Sequence, residues 1–292
     1  MQGTRIRRHG LGFWELANKP SAQELATYYE ETYYQNETAN YRKSYSALET
    51  EVIELRIALR AAQIGTLRGS SSPGSMLDVG CGEGFVIRYF RSLGWLANGI
   101  DYSRAGVEQM NPTCAELVEQ GDVFQLLEAR IAAGEQHDVV WLSNVLEHVL
   151  DPVGLLQSLG QLVKPNGVLL VTVPNDGSAF QEAMLDSGAI PERFWISEPD
   201  HISYFTADSL QSTIAAVGFK CLALHGDFPI DIYLAHAGSN YVTDRTRGPA
   251  AHQARLQLEQ LIGQCGLDRA NHFYAALGLV GLGRNITAYI QT

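Results

Sequence analysis

Basic residues are scarce in this 292-residue chain: 21 Lys and Arg face 32 Asp and Glu, a formal net charge of −11. Binding nucleic acid requires clustered Lys and Arg to neutralise phosphates, so the balance points away from such a partner and towards a neutral or cationic small molecule. Cysteine is scarce too. Cys81, Cys114, Cys221 and Cys265 stand far apart with no C-x-x-C pair. That argues against a thiolate zinc site and a disulfide framework, and suits a reducing, cytoplasmic setting. No stretch approaches the ~20 apolar residues of a membrane helix, and the basic start "MQGTRIRRHG" leads into Glu15 and Lys19 rather than an apolar signal segment. What is present is enough apolar material, 46% of residues, for a sizeable core.

The first part, residues 1–72, reads as a tyrosine-rich cap followed by a helix. Six of 13 tyrosines fall there: Tyr28, Tyr29, Tyr33, Tyr34, Tyr41 and Tyr45. Ser21 followed by Glu24 is a capping box that opens a short helix. Val52, Leu55, Leu59 and Ala62 recur at helical spacing, and "GTLRGSSSPGS" ends that helix as a connector. In residues 73–292 the texture changes. Short apolar runs, "MLDVG", "WLANGID", "AELVEQG", "HDVVWLS", "GVLLVTVP" and "FKCLALHG", alternate with amphipathic helical patterns. This rhythm predicts an α/β fold with a parallel sheet covered by helices on both faces, whose ligands lie beyond the carboxyl ends of the strands. Two excursions break it, residues 176–205 and 227–280, and both are candidate lids over an acceptor.

"LDVGCGEGF" places Gly80, Gly82 and Gly84 after the first of these strands. The spacing is neither the G-x-G-x-x-G of dinucleotide folds nor a P-loop, which also needs Lys-Ser/Thr. Since the turn opens a helix, its free N–H groups favour a carboxylate or another anion. The second strand ends in Asp101, a carboxylate able to accept from both hydroxyls of a ribose. A nucleoside joined to a carboxylate is therefore the implied ligand. A second cluster, Gly278, Gly281 and Gly283, lacks a βαβ unit to complete it and is expected only to lead into a last strand, "NITAYIQ".

With "HDVVWLSNVLEHVLDP" and "LVKPNGVLLVTVPN" added, residues 76–226 resemble the class I S-adenosylmethionine-dependent methyltransferases, nearest to small bacterial ubiquinone-type and cell-surface-glycan enzymes. The resemblance implies a Rossmann-like seven-stranded sheet, mostly parallel with an antiparallel last strand, carrying an N-terminal helical cap and two insertions. It implies S-adenosyl-L-methionine as cofactor and S-adenosyl-L-homocysteine as product. The methionine part would lie against Asp78, Gly80 and Gly82, the ribose on Asp101, and the adenine beside Tyr102, Asp122 and Val123. Ser143 and Asn144 would close the site.

Methyl transfer to a hydroxyl needs a base, and a histidine with its unperturbed pKa of ~6.5 suits the role. His201, in the first excursion, is the first choice, with His148 and its neighbour Glu147 after the fourth strand. His137 is expected at the surface. Trp195, Tyr204 and the leader residues Tyr33, Tyr34 and Tyr41 are candidates to bind the acceptor, their aromatic faces and hydroxyls suiting a sugar ring. "LEHV" followed by "DP" resembles the ubiquinone-type enzymes, where acids near such a His accompany a divalent metal. Here Asn144 replaces an expected acid, leaving Glu147 and His148 as too few ligands, so no metal site is expected. The leader contains no cysteine, unlike the zinc-binding leader of sugar C-methyltransferases. The leading expectation is methyl transfer to an oxygen, less readily a nitrogen, of a saccharide or nucleotide-sugar. The alternatives are O-methylation of an aromatic natural product or quinone precursor, and a cofactor-binding module without catalysis.

Overall fold

The computed structural model describes residues 5–21, 23–25 and 44–292. Helix α1 (Ala47–Arg68) starts at a capping box in which the Ser46 hydroxyl accepts from the Glu49 N–H and the Glu49 side chain reaches back to the Ser46 N–H. It runs through Gly65, past the connector boundary suggested by the sequence, and stops at Gly69 in the left-handed conformation. The alternation that follows builds β3 (Ser75–Val79), α2 (Phe85–Ser92), β4 (Leu96–Asp101), α3 (Ala105–Met110), β5 (Val118–Gln120), α4 (Val123–Ala132), β6 (His137–Ser143), α5 (Pro152–Gln161) and β7 (Val163–Pro174). Next come α6 (Ala179–Asp186), β8 (Ser203–Tyr204), α7 (Ala207–Ala216), β9 (Lys220–Gly226), α8 (Gly248–Gln264), α9 (Leu267–Leu279) and β10 (Asn285–Gln291).

The main sheet has seven strands in the order β5-β4-β3-β6-β7-β10-β9, with β10 antiparallel to both neighbours. Strand order reverses between β3 and β6, which opens a crevice beyond their carboxyl ends. Both faces of the sheet are covered, so its central strands read as continuous apolar runs rather than alternating ones. On one face Ile57 and Ile64 of α1 pack with Met76, Trp141 and Tyr289. On the other, α5 and α7 bring Leu155, Leu159, Leu210 and Ile214 against Leu77, Val140 and Val171.

Periodicity did not announce a second, small sheet. Strands β1 (Ile6–Arg8) and β2 (Trp14–Leu16) form a hairpin whose second strand pairs with β8, Trp14 opposite Tyr204 and Glu15 opposite Ser203. The leader thus carries a hairpin as well as a helix. His137 needs correction: it begins β6 and is only 8% exposed, because residue 137 already pairs with Val163 in the sheet. The late glycines are structural, as expected. A Cβ on Gly278 would lie 2.2 Å from the Leu224 carbonyl oxygen, so only glycine lets α9 approach β9 this closely.

Candidate active site

The crevice encloses about 1410 Å³ and is walled by the turns that follow β3, β4, β5 and β6. Gly80 and Gly84 have φ of +69° and +74°, where an L side chain is strained. They lack room as well: a Cβ would meet a methyl of Val145 at 2.5 Å and of Val107 at 2.7 Å, respectively. The turn is tied to the next strand by Asp101, whose two carboxylate oxygens accept from the Gly82 N–H at 2.8 Å and the Ser103 N–H at 3.0 Å.

Asp78 is 2% exposed, and no hydrogen-bond donor among the described residues serves its carboxyl. Burial first, then the adjacent charge of Asp101, pushes its pKa up to about 8. Such a pair of buried acids fits a ligand that brings its own ammonium group. Further along the wall, Asp122 caps α4 by accepting from the Gln125 N–H and also receives the Tyr102 hydroxyl at 3.2 Å. Val123, Ser143 and Asn144 complete that side. All nine residues expected at the cofactor therefore line one crevice.

Beyond Asn144 the chain makes a single tight turn, Leu146–His148. Nδ1 of His148 lies 2.7 Å from the Asp200 carbonyl oxygen and 3.3 Å from an Asp200 carboxylate oxygen. A carbonyl can only accept, so Nδ1 carries the hydrogen, and Nε2 is the nitrogen that takes up or releases a proton. Burial opposes a charge on His148, but hydrogen bonding to Asp200 and the charges of Glu147 and Asp200 outweigh it and raise its pKa to about 9. Glu147 is 1% exposed, neither of its carboxylate oxygens has a hydrogen-bond partner among the described residues, though Oε1 lies 3.8 Å from Nε2 of His148, and burial pushes its carboxyl up.

His201 packs edge-on against His148, ring centroids 4.9 Å apart. Its Nδ1 is 3.5 Å from Asp176, which is itself held by Arg284 at 2.6 Å. The chain Arg284, Asp176, His201, Asp200, His148 is drawn from residues far apart in sequence. Of the two histidines, His148 is on the crevice wall and His201 stands behind it. The sequence also undercounted the possible metal ligands. His201 joins Glu147 and His148, with one ligand atom from each lying within 4.8 Å of the others, so the three side chains fit a divalent cation.

Two aromatic assignments also change. Trp195 and Tyr204 are 3% and 1% exposed, buried with Ile6, Leu16 and Leu234 in the small core that docks the first excursion, and neither is on the crevice wall. Tyr204 instead donates to the His201 carbonyl oxygen at 2.9 Å. Tyr33, Tyr34 and Tyr41 lie outside the described residues. Tyr45 is the leader tyrosine seen at the crevice, its hydroxyl donating to Glu83 at 2.8 Å. The sequence placed Asp200 beside His201 without giving it a role, and passed over Asp176 and Arg284. A signal did exist for Asp176, which stands two residues past the end of β7, where ligand-facing groups of such sheets collect.

A reversed parallel sheet with a glycine turn after its first strand and an acid closing the second is an arrangement that binds nucleosides. Residues 52–224 match the family described as "Methyltransferase domain". The chain belongs to that family, and it is a class I S-adenosylmethionine-dependent methyltransferase. It is 28% identical over 185 residues to the ubiquinone biosynthesis O-methyltransferase of Colwellia psychrerythraea, covering 61% of this chain and 74% of that one. With the enzyme of the same name from Histophilus somni it shares 37% identity over 106 residues, 34% of this chain and 44% of the relative. A SAM-dependent methyltransferase structure from Archaeoglobus fulgidus shares the fold at a TM-score of 0.53 and 16% identity, over 83% of this chain and 94% of that one. No helix among the described residues is long and apolar enough to cross a membrane.

Proposed function

We propose that this methyltransferase acts on a hydroxyl oxygen of a small molecule, with His148 receiving the hydroxyl proton. The observation that carries the reading is the placement of His148 on the crevice wall, its Nδ1 held by Asp200. A neutral amine is nucleophilic without help, whereas a hydroxyl benefits from a positioned base, so this pair would be superfluous for nitrogen. Asp78 and the Gly80–Gly82 turn hold the amino-acid end of S-adenosylmethionine, Asp101 its ribose, and Tyr102, Asp122 and Val123 its adenine, with Ser143 and Asn144 closing the site. When bound, the cofactor supplies an electrophilic methyl group on a sulfonium.

The protein's share is alignment, exclusion of water and proton uptake. Positive charge brought into the crevice disfavours the imidazolium, which lowers the His148 pKa from about 9 towards the working pH and readies Nε2 as a base. His201, Asp176 and Arg284 position His148 through their packing and ion pairs. Were a divalent cation bound by Glu147, His148 and His201, it would supply Lewis-acid polarisation of the acceptor oxygen, and Nε2 of His148 would then be its ligand instead of the base.

The names of the relatives favour an aromatic hydroxyl over a saccharide as acceptor. The saccharide alternative leans on leader tyrosines that lie outside the described residues. Methyl-labelled cofactor offered with phenols, catechols, sugars and amines is the test. Label on oxygen, lost in His148→Ala, is expected. Transfer only to nitrogen, or transfer that survives His148→Ala at full rate, overturns the proposal.

A further inference from the structure

Among the described residues, two other than glycine take a left-handed backbone, Asn144 at φ +53° and Asn166 at φ +65°. Asn166 sits in the exposed turn of "KPNG" before Gly167, an ordinary place for such a residue. Asn144 is different. It is the first residue after β6, its N–H donates to the Thr172 carbonyl at 2.9 Å, and it is exposed on the crevice wall. Its carboxamide makes no hydrogen bond with any described residue, so no local bond compensates the conformation. Glycine would accept this backbone without strain, as Gly80 and Gly84 do nearby. A side chain kept in a disfavoured conformation at the carboxyl end of a central strand indicates a use for that side chain.

The surroundings indicate which use. The chain closes tightly after Asn144, the His148 N–H donating to the Val145 carbonyl at 3.0 Å, so Asn144 and His148 belong to one turn and line one crevice. Fixed charge there is negative: Glu147 and Asp200 flank His148, and Asp151 stands on the same wall. A hydroxyl oxygen that gives up its proton in that company gains negative charge among acids, where a neutral N–H donor stabilises it and a further carboxylate would oppose it. We propose that the Asn144 carboxamide donates an N–H to the reacting oxygen of the acceptor. The proposal rests on the hydroxyl reading above and adds the group that holds the oxygen. As the O–H bond breaks, its proton goes to Nε2 of His148. A new bond forms from the oxygen to the methyl carbon, and the C–S bond breaks with its electron pair left on sulfur, giving a neutral ether, a neutral thioether and an imidazolium. Asn144 is unchanged at the end. A protonated amine has no lone pair for that N–H to meet, so the contact also favours oxygen acceptors over ammonium ones.

The probe that tests this is 4-nitrophenol, whose phenolate is read by its own absorbance, titrated into protein saturated with S-adenosylhomocysteine. Asn144→Gly and Asn144→Ala should each lower the ratio of phenolate to phenol affinity by about 10-fold, the worth of one charge-assisted hydrogen bond. Asn144→Asp should lower it further, because it sets an anion against the probe. The same fall in a His148→Ala background separates the carboxamide from any attraction by the imidazolium. Asn144→Gly relaxes the backbone, so it should melt no lower than the parent, and S-adenosylhomocysteine affinity should hold in all three variants. A residue that only shaped the turn would do the reverse, altering stability and leaving the ratio alone. An unchanged ratio in Asn144→Gly, no binding of 4-nitrophenol to the parent at millimolar concentration, or a ratio that falls only together with S-adenosylhomocysteine affinity would overturn the assignment. Because binding is read rather than transfer, methyl label found only on nitrogen would defeat the hydroxyl reading and be recognised separately.

Discussion

Between Asp78 and Asn144 every residue expected to face the cofactor lies in the last two residues of a strand or within three residues after one, so the sheet positions it with no help from distant segments. The acceptor side is assembled otherwise. His148, Asp176, Asp200, His201 and Arg284 come from four separate connections, held in register by hydrogen bonds such as Ile202 N–H to the Glu147 carbonyl and Asp176 N–H to the Phe205 carbonyl, each 2.8 Å. One half of the crevice is secured by backbone geometry, the other by docking. A fold built this way can exchange acceptors by reshaping loops while the cofactor seat stays in place.

The hardest test of that division is His148→Ala. Turnover should fall by about 10²–10⁴-fold, the usual worth of a positioned base, with S-adenosylhomocysteine affinity unchanged by calorimetry. A comparable loss of affinity would merge the two halves. The converse is Asp78→Asn, which should weaken cofactor binding by about 10- to 100-fold while stabilising the empty protein. The sign follows from the raised carboxyl: folding favours the protonated form, so stability is lost as pH rises from the ordinary value of 3.8 through about 8. Thermal unfolding at pH 6 and pH 9 should then show a smaller decline in the variant than in the parent.

A finer test separates His148 from its support. The acidic limb of the pH–rate profile reports the base, and Asp200→Asn, by removing the carboxylate that raises it, should move that limb to lower pH by about one unit. An unmoved limb would assign it to another group. Chelation with EDTA should leave turnover unchanged; a loss restored by Mg²⁺ would show that Glu147, His148 and His201 hold a cation during catalysis. The smallest effect is expected from Tyr45→Phe, about 2- to 5-fold in cofactor affinity, since the hydroxyl's contact with the Glu83 carboxylate is lost while the ring stays.

The same division explains what the sequence disclosed. The glycine turn and Asp101 were legible because a positive φ or a strand-ending acid leaves its mark within a few residues, and strand and helix periods carried the alternation of elements that builds the main sheet. The pairing of β2 with β8 joins residues near 15 to residues near 203, and nothing local to either stretch requires it. Trp195 and Tyr204 looked like acceptor contacts because aromatic residues suit either a site or a core, and only the packing against Ile6 and Leu16 decides between them. His201 was ranked before His148 on the strength of its polar and aromatic company, and that company packs behind His148 rather than on the crevice wall.

That hairpin has a practical corollary. Strand β2 is what holds the edge of β8, and the Leu16 N–H bonds the Ile202 carbonyl one residue past His201. Trimming the amino terminus as though it were a dispensable tail would therefore untether the histidine pair from a distance. The shortened enzyme would still grip its methyl donor and yet turn over almost nothing, a phenotype easily mistaken for the wrong substrate.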